Sequence, residues 1–230
     1  MRSFLFIAAL SAAAAPASGA TRNFEITSFS KVRVDGPYKV TLKTGVAPFA
    51  SATGSQAALD RIAIDVRGDT LVIRSSLDSW GGYPGQDVGP VEISLGTHDL
   101  SAAWLNGSGA LSIDKVKGLS FDLSVQGSGV GTIADTNVDQ LQVNVVGTAS
   151  ARLAGQAAKM TAVIRGISSL DAAALSTKDA NLAADGAGTI AADVTNSVTV
   201  NATGPATVRL TGAPSCTLRV AGSAIVSGCH

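Results

Sequence analysis

From Leu100 to Cys229 apolar and polar positions alternate in a pattern that returns about every twenty residues. Glycine keeps time with it: Gly107, Gly127, Gly147, Gly166, Gly186, Gly204 and Gly222 are separated by 20, 20, 19, 20, 18 and 18 positions. Two, four and six places before the glycine stand apolar residues. They are Val125, Leu123 and Phe121 in one unit, then Val145, Val143 and Leu141, and in the last unit Val220, Leu218 and Cys216. Polar residues such as Asp122, Ser124, Gln142 and Asn144 fill the places between. Alternation with period two is the signature of a half-buried strand. Four and six places after the glycine the apolar set resumes, as Leu111/Ile113, Ala151/Leu153, Leu170/Ala172, Ile190/Ala192 and Val208/Leu210. Each unit therefore predicts a strand, a glycine corner, a second strand and a polar return. None holds a helical pattern ten residues long.

A unit this short buries no core alone, but units coiled in one direction and stacked bury a continuous one. Equivalent residues then stand in columns about 4.8 Å apart, the strand spacing of a sheet. The predominance of small side chains fits a narrow coil in which each layer must pack on the next. The pattern predicts an all-β parallel solenoid with regular rungs over 101–229. An antiparallel sandwich is the competing reading, because closely spaced strands suit it too; the constant period favours the coil. Residues 24–100 repeat less strictly. Val32/Val34, Tyr38/Val40/Leu42, Ile62/Ile64/Val66, Leu71/Ile73 and Val91/Ile93/Leu95 mark longer strands, expected to be joined by hairpin-like turns and to begin and cap the same solenoid. Residues 21–230 are read as a single domain.

The first twenty residues, MRSFLFIAALSAAAAPASGA, change the picture of where the chain works. A basic start, a short apolar run and small residues before Thr21 spell a secretory signal peptide over 1–20. The run is too short to span a bilayer. The expected location is exported, periplasmic or extracellular, with no membrane span in the mature chain. Seventeen basic and 17 acidic residues leave no electrostatic footprint for nucleic acid. In an exported chain Cys216 and Cys229 read as one disulfide pinning the last rung; two unpaired thiols are the alternative.

Several stretches then resemble a known family. They are VRVDGPYKVTLKTG, the Gly68-Asp69-Thr70-Leu71 turn, and the Gly107-Ser108-Gly109 and Gly127-Ser128-Gly129 corners. Together they resemble the putative auto-transporter adhesin, head GIN domain family over nearly the whole mature chain. The resemblance implies an exported right-handed β-helix of unassigned biochemical function. It brings no catalytic residues.

The stretch LSVQGSGVGTI mimics a phosphate loop, but no helix follows, and a phosphate site needs the helix N-terminus. His98 sits in a turn with no nucleophile elbow in the chain. Two histidines and two cysteines do not make a zinc set. No cofactor is expected. Two candidate surfaces remain. Trp80 and Tyr83 in the Gly/Pro-rich loop SWGGYPGQ suit contact with a glycan or an envelope protein, or else cover the solenoid. Arg152, Asp171 and Arg209 fall five places after Gly147, Gly166 and Gly204, with Ala191 after Gly186 between the last two, and would share an outward face, as a polysaccharide lyase or hydrolase requires. The expected function is a non-catalytic, adhesin-like, envelope-associated binding module; the alternative is a carbohydrate-active enzyme on the same coil.

Overall fold

The computed structural model describes residues 19–76 and 89–229. Its first strands are β1 (Ala20–Phe24), β2 (Lys31–Asp35), β3 (Lys39–Thr44) and β4 (Phe49–Gly54). A one-turn helix α1 (Gln56–Leu59) follows, then β5 (Ile62–Arg67), β6 (Thr70–Ser75), β7 (Glu92–Thr97) and β8 (Ala102–Gly107). The regular part holds β9 (Ala110–Gly127), β10 (Val130–Gly147), β11 (Ser150–Gly166), β12 (Ser169–Asp185) and β13 (Thr189–Thr203). It ends with β14 (Thr207–Thr211), β15 (Ser215–Ala221) and β16 (Ile225–Ser227).

From β8 onward every pairing is parallel and the chain coils as a β-solenoid. The alternation fixes which side chains face in. Leu123, Val143, Ala162, Leu182 and Val200 register on one another and are all buried. Leu111, Ala151, Leu170, Ile190 and Val208 line the opposite wall of the same interior, with Gly131 in the gap between Leu111 and Ala151.

The glycine corners have a specific cause. Gly147 has φ +99°, and a Cβ there would lie 2.6 Å from the carbonyl oxygen of Gly127 on the rung before. That carbonyl accepts the N–H of Thr148 at 2.8 Å, just as the Gly107 carbonyl accepts the N–H of Ser128 at 3.0 Å. The corner thus needs a left-handed residue and a backbone approach that leaves no room for a side chain. The corner amides that a phosphate would require are already spent on the neighbouring rung.

The returns differ from expectation: they are hydrogen-bonded strand, continuous with the walls. They bury a third set of residues, including Val116, Thr136, Val138, Ala157, Leu175 and Val194. The register slips in or beside these returns, between Ile133 and Thr136, Arg152 and Ala154, and Ala172 and Ser176. Unit length varies by one or two residues, and bulges at these points take up the difference while the corners stay aligned.

The N-terminal part corrects the hairpin expectation for its first two strands. β2 and β3 do not pair with each other; β2 runs parallel to β6 and β8, and β3 runs parallel to β7 and β9. They are the two walls of one more rung. Gly36, with φ +135°, is its corner and lies against Gly107. β6 and β7 form the rung on its other side. In space the order is therefore β6–β7, β2–β3, β8–β9, while the chain makes β2–β3 first. A true hairpin does occur between β5 and β6, with Arg67 opposite Thr70 across the expected turn. β4 runs antiparallel to β7 and β1 antiparallel to β4. Ser55 accepts a hydrogen bond from the Ala58 N–H and caps α1, which tucks in Ala58 and Leu59.

At the other end the expected inward residues of the last unit are not covered. Leu218 is 44% exposed and Val220 43%, because no further rung lies beyond β15 among the described residues. Cys216 and Cys229 are joined by a disulfide with their Cα atoms 5.7 Å apart, which closes this last rung on itself.

Candidate functional site

The column of residues five places after each glycine is present as expected. Ser112, Thr132, Arg152, Asp171, Ala191, Arg209 and Ser227 register in that order. Arg152 and Asp171 form an exposed ion pair of 3.3 Å. Arg209 lies two rungs from Asp171, with Ala191 between them, so the three residues share a column but not a site.

Nearby carboxylates are engaged in holding rungs together. Asp193 accepts from Thr211 Oγ1 at 2.8 Å, Asp185 from Thr203 Oγ1 at 2.9 Å, and Asp179 from Ser197 Oγ at 2.5 Å. Each tie links an aspartate to a hydroxyl 18 residues later, directly on the next rung. The hydrogen bonds from Ser197 and then Asn196 hold the Asp179 carboxyl below its ordinary value. Asp114 takes the Thr44 and Lys115 backbone N–H groups at 3.0 and 2.7 Å. Asp69, also lowered, answers chiefly to Lys31 on the rung beside it. Among the described residues no three His, Cys, Asp or Glu side chains converge as a metal site would need. His98 is exposed in its turn. Trp80 and Tyr83 lie outside the described residues.

A different surface carries the stronger feature. On the wall before each corner, the outward positions alternate with the buried columns. Three places before the glycines, Arg33, Trp104, Ser124, Asn144 and Val163 stand in one line across β2, β8, β9, β10 and β11. One place before the glycines the line reads Asp35, Asn106, Gln126, Val146 and Arg165. Trp104 is half-buried, and its neighbour on the next rung is only a serine. Large beside small in adjacent rungs leaves a depression of about 480 Å³ at Trp104, floored by Ser124 and edged by Gln126, Gln142, Asn144 and Arg165. A second depression of about 640 Å³ adjoins it and shares Trp104 and Gln126, reaching back to the Arg33–Asp35 ion pair of 2.9 Å. Side by side at Trp104, the two span the rungs from β2 to β11 and are together called the Trp104 groove.

The groove mixes the apolar surfaces of Trp104 and Val163 with polar groups, of which Gln126 donates to Ser124 at 3.4 Å and Asn106 to Asp35 at 2.6 Å. The Asn144 Oδ1 atom is buried without a hydrogen-bond partner. Arg165 has no ion pair among the described residues, in contrast to Arg33, Arg74 and Arg152. Within the depression at Trp104 the formal charges are one Asp122 and one Arg165, so it has no net sign. Sequence reasoning passed over Trp104. Its signal was position: an aromatic on the polar side of the alternation, three places before Gly107.

Comparison with known proteins places this architecture. No curated protein matches the chain. A solved structure described as a putative adhesin from Bacteroides fragilis NCTC 9343 superposes with a TM-score of 0.82 at 16% identity, over 91% of this chain and 95% of that one. One described as a putative lipid binding protein from Parabacteroides distasonis ATCC 8503 gives 0.72 at 18% identity, over 92% and 96%. A putative adhesin from the same organism gives 0.69 at 16% identity, over 92% and 97%. At these identities the likeness is one of fold. The family described as putative auto-transporter adhesin, head GIN domain, matches residues 28–214, from the strand before the first glycine corner to the foot of the last rung, and the chain belongs to it.

Proposed function

We propose that this chain is an exported, non-catalytic, adhesin-like binding module of the cell envelope. Residues 1–20 act as its signal peptide, and the protein works in the periplasm or outside the cell. The disulfide supports an oxidising compartment. Among the described residues no helix is long and apolar enough to cross a membrane. Residues 21–230 act as one unit, in keeping with the hydrophobic cluster that runs unbroken from Phe29 to Leu210.

The observation that carries this reading is the division of labour among the polar side chains. Aspartates at the rung edges are tied to hydroxyls of the next rung, whereas the amides and Arg165 of the Trp104 groove face outward on rigid strands. A hydrolase or lyase needs carboxylates left free to move protons; a binding surface needs fixed, unengaged hydrogen-bonding groups. The test is paired. Purified protein is incubated with soluble polysaccharides and with isolated cell envelopes. Retention on envelopes without release of new sugar ends is expected. Release of sugar ends that disappears in Asp171→Asn would replace the binding module with an enzyme.

A further inference from the structure

We infer that the groove at Trp104 is a saccharide-binding site, specific for a neutral, extended glycan chain. The inference rests on the binding-module reading and gives it a ligand class.

A pyranose ring presents two unlike surfaces. Its axial C–H groups make an apolar face, and its edge carries adjacent hydroxyls that both donate and accept. A protein that grips it needs a flat aromatic for the first and planar polar groups for the second. Trp104 supplies the flat surface, large and amphipathic. Gln142, Asn144 and Gln126, whose nitrogen also donates to Ser124 at 3.4 Å, supply amides that donate and accept at once, matched to paired hydroxyls. The Asn144 side-chain oxygen is unpartnered and closed to solvent, a cost that a ligand hydroxyl would remove once that amide turns outward to accept it. Arg165 adds a forked donor for hydroxyl or ring oxygen.

Shape and charge narrow the class. The groove crosses β2, β8, β9, β10 and β11, so it extends over four strand spacings, about 19 Å. That accommodates several linked sugars rather than a single one. Asp122 balances Arg165, and Asp35 balances Arg33, which leaves no cationic field to draw a phosphate or an acidic polymer. An acyl chain finds a poorer match, because the outward apolar groups Trp104 and Val163 stand among amides, hydroxyls and charges, while the long apolar columns are packed inside the coil. The strands that hold these groups are paired on both sides, so the site needs little ordering on binding.

The experiment uses the full mature chain carrying Trp80→Phe, which leaves Trp104 as the sole tryptophan. Xylan, mannan and a soluble β-glucan are the probes, read by affinity electrophoresis and by tryptophan fluorescence. At least one of them is expected to retard the protein and change the Trp104 emission. Trp104→Ala should weaken that binding about tenfold or more. Ser124→Arg, which fills the depression and gives up only the 3.4 Å hydrogen bond that the Ser124 hydroxyl accepts from Gln126, should do the same with thermal unfolding close to the parent's, and this guards against a variant that merely fails to fold. Arg152→Ala on the other face should bind as the parent does. Retention equal in the parent, Trp104→Ala and Ser124→Arg would overturn the site, as would failure of all three polysaccharides to bind. Should the Trp104 variants instead lose an envelope protein while polysaccharides never bind, the saccharide class falls and the binding module survives. Should a probe bind at Trp104 and be cleaved, the site stands and the non-catalytic reading falls.

Discussion

The two ends of this solenoid solve the same problem in opposite ways. Every rung leaves an apolar floor and an unpaired strand edge for the next one to cover, and among the described residues the first and last rungs have no next one. At the N-terminal end the chain builds a lid. The antiparallel strands β1, β4 and β5 and the helix α1 flank the rung β6–β7, and Ile73, Leu71 and Leu95 are fully buried there. At the C-terminal end no element covers β15 and β16 among the described residues. The rung is closed by a covalent bond instead, and Leu218, Val220 and Ile225 stay open to solvent. The match to the family also stops at residue 214, just before this rung. The difference teaches that a solenoid end has two requirements, burial of apolar surface and resistance to fraying. A lid meets both, whereas a disulfide meets only the second.

The contrast can be broken from either side. Ile73→Ala in the lid-covered rung should cost about 2–5 kcal/mol in global stability, read by denaturant unfolding, because the cavity it leaves is enclosed. A loss below about 1 kcal/mol would show that the lid packs loosely. Opening the disulfide, by reduction or by Cys216→Ser with Cys229→Ser, should cost up to about 3 kcal/mol for a loop of this length. Its effect should appear in hydrogen exchange as fast opening of β15 and β16 with β9 to β12 still protected. Uniform loss of protection would show that the last rung anchors the whole coil. Ser55→Ala should remove the cap of α1 for about 1 kcal/mol. Leu218→Ala should cost only about 0.5 kcal/mol, because nearly half of its surface is already exposed and no cavity is enclosed; a cost as large as that of Ile73→Ala would mean the C-terminal end is covered in solution.

The smallest effect concerns the ties near the open end. The folded pKa of Asp179 is lowered by Ser197 and Asn196, so this carboxylate contributes stability above its unfolded value of 3.8 and loses it as the pH falls through the folded one. Ser197→Ala should move the Asp179 titration back up toward 3.8, seen in carboxyl NMR shifts, with little change in melting near neutrality. An unmoved titration would show that the hydroxyl does not tie the two rungs.

Most of the regular coil was legible because its information is local. Residues two, four and six places from a glycine announce their side of the sheet, and the registers through Leu123, Val143 and Ala162 follow from the spacing. The column of Arg152, Asp171 and Arg209 was legible for the same reason, although its chemistry was not: Ala191 interrupts it, and only coordinates show that Arg152 and Asp171 hold each other. The rung of β2 and β3 was misread as a hairpin. Its alternation is sound, but the corner that stacks on Gly36 is Gly107, and β4, α1 and β5 of the lid lie between them in sequence. The Trp104 groove was missed because it is made by adjacency: a tryptophan beside a serine on the next rung, with amides from two rungs further on.

By itself the sequence determined the strands, their inward faces, the corners that only glycine can occupy and the cysteine pair that closes the end. These depend on the direction of each side chain and the sterics of single residues, which neighbours in the chain dictate. Only the tertiary structure decided the stacking order at the N-terminal end, the lid, and the groove on the outer wall. Backbone hydrogen bonds are the same for every strand, so alternation says which way a strand faces but not which strand lies beside it. That choice, made by the packing of the whole chain, set Trp104 against Ser124 and made a groove out of residues that are unremarkable one at a time.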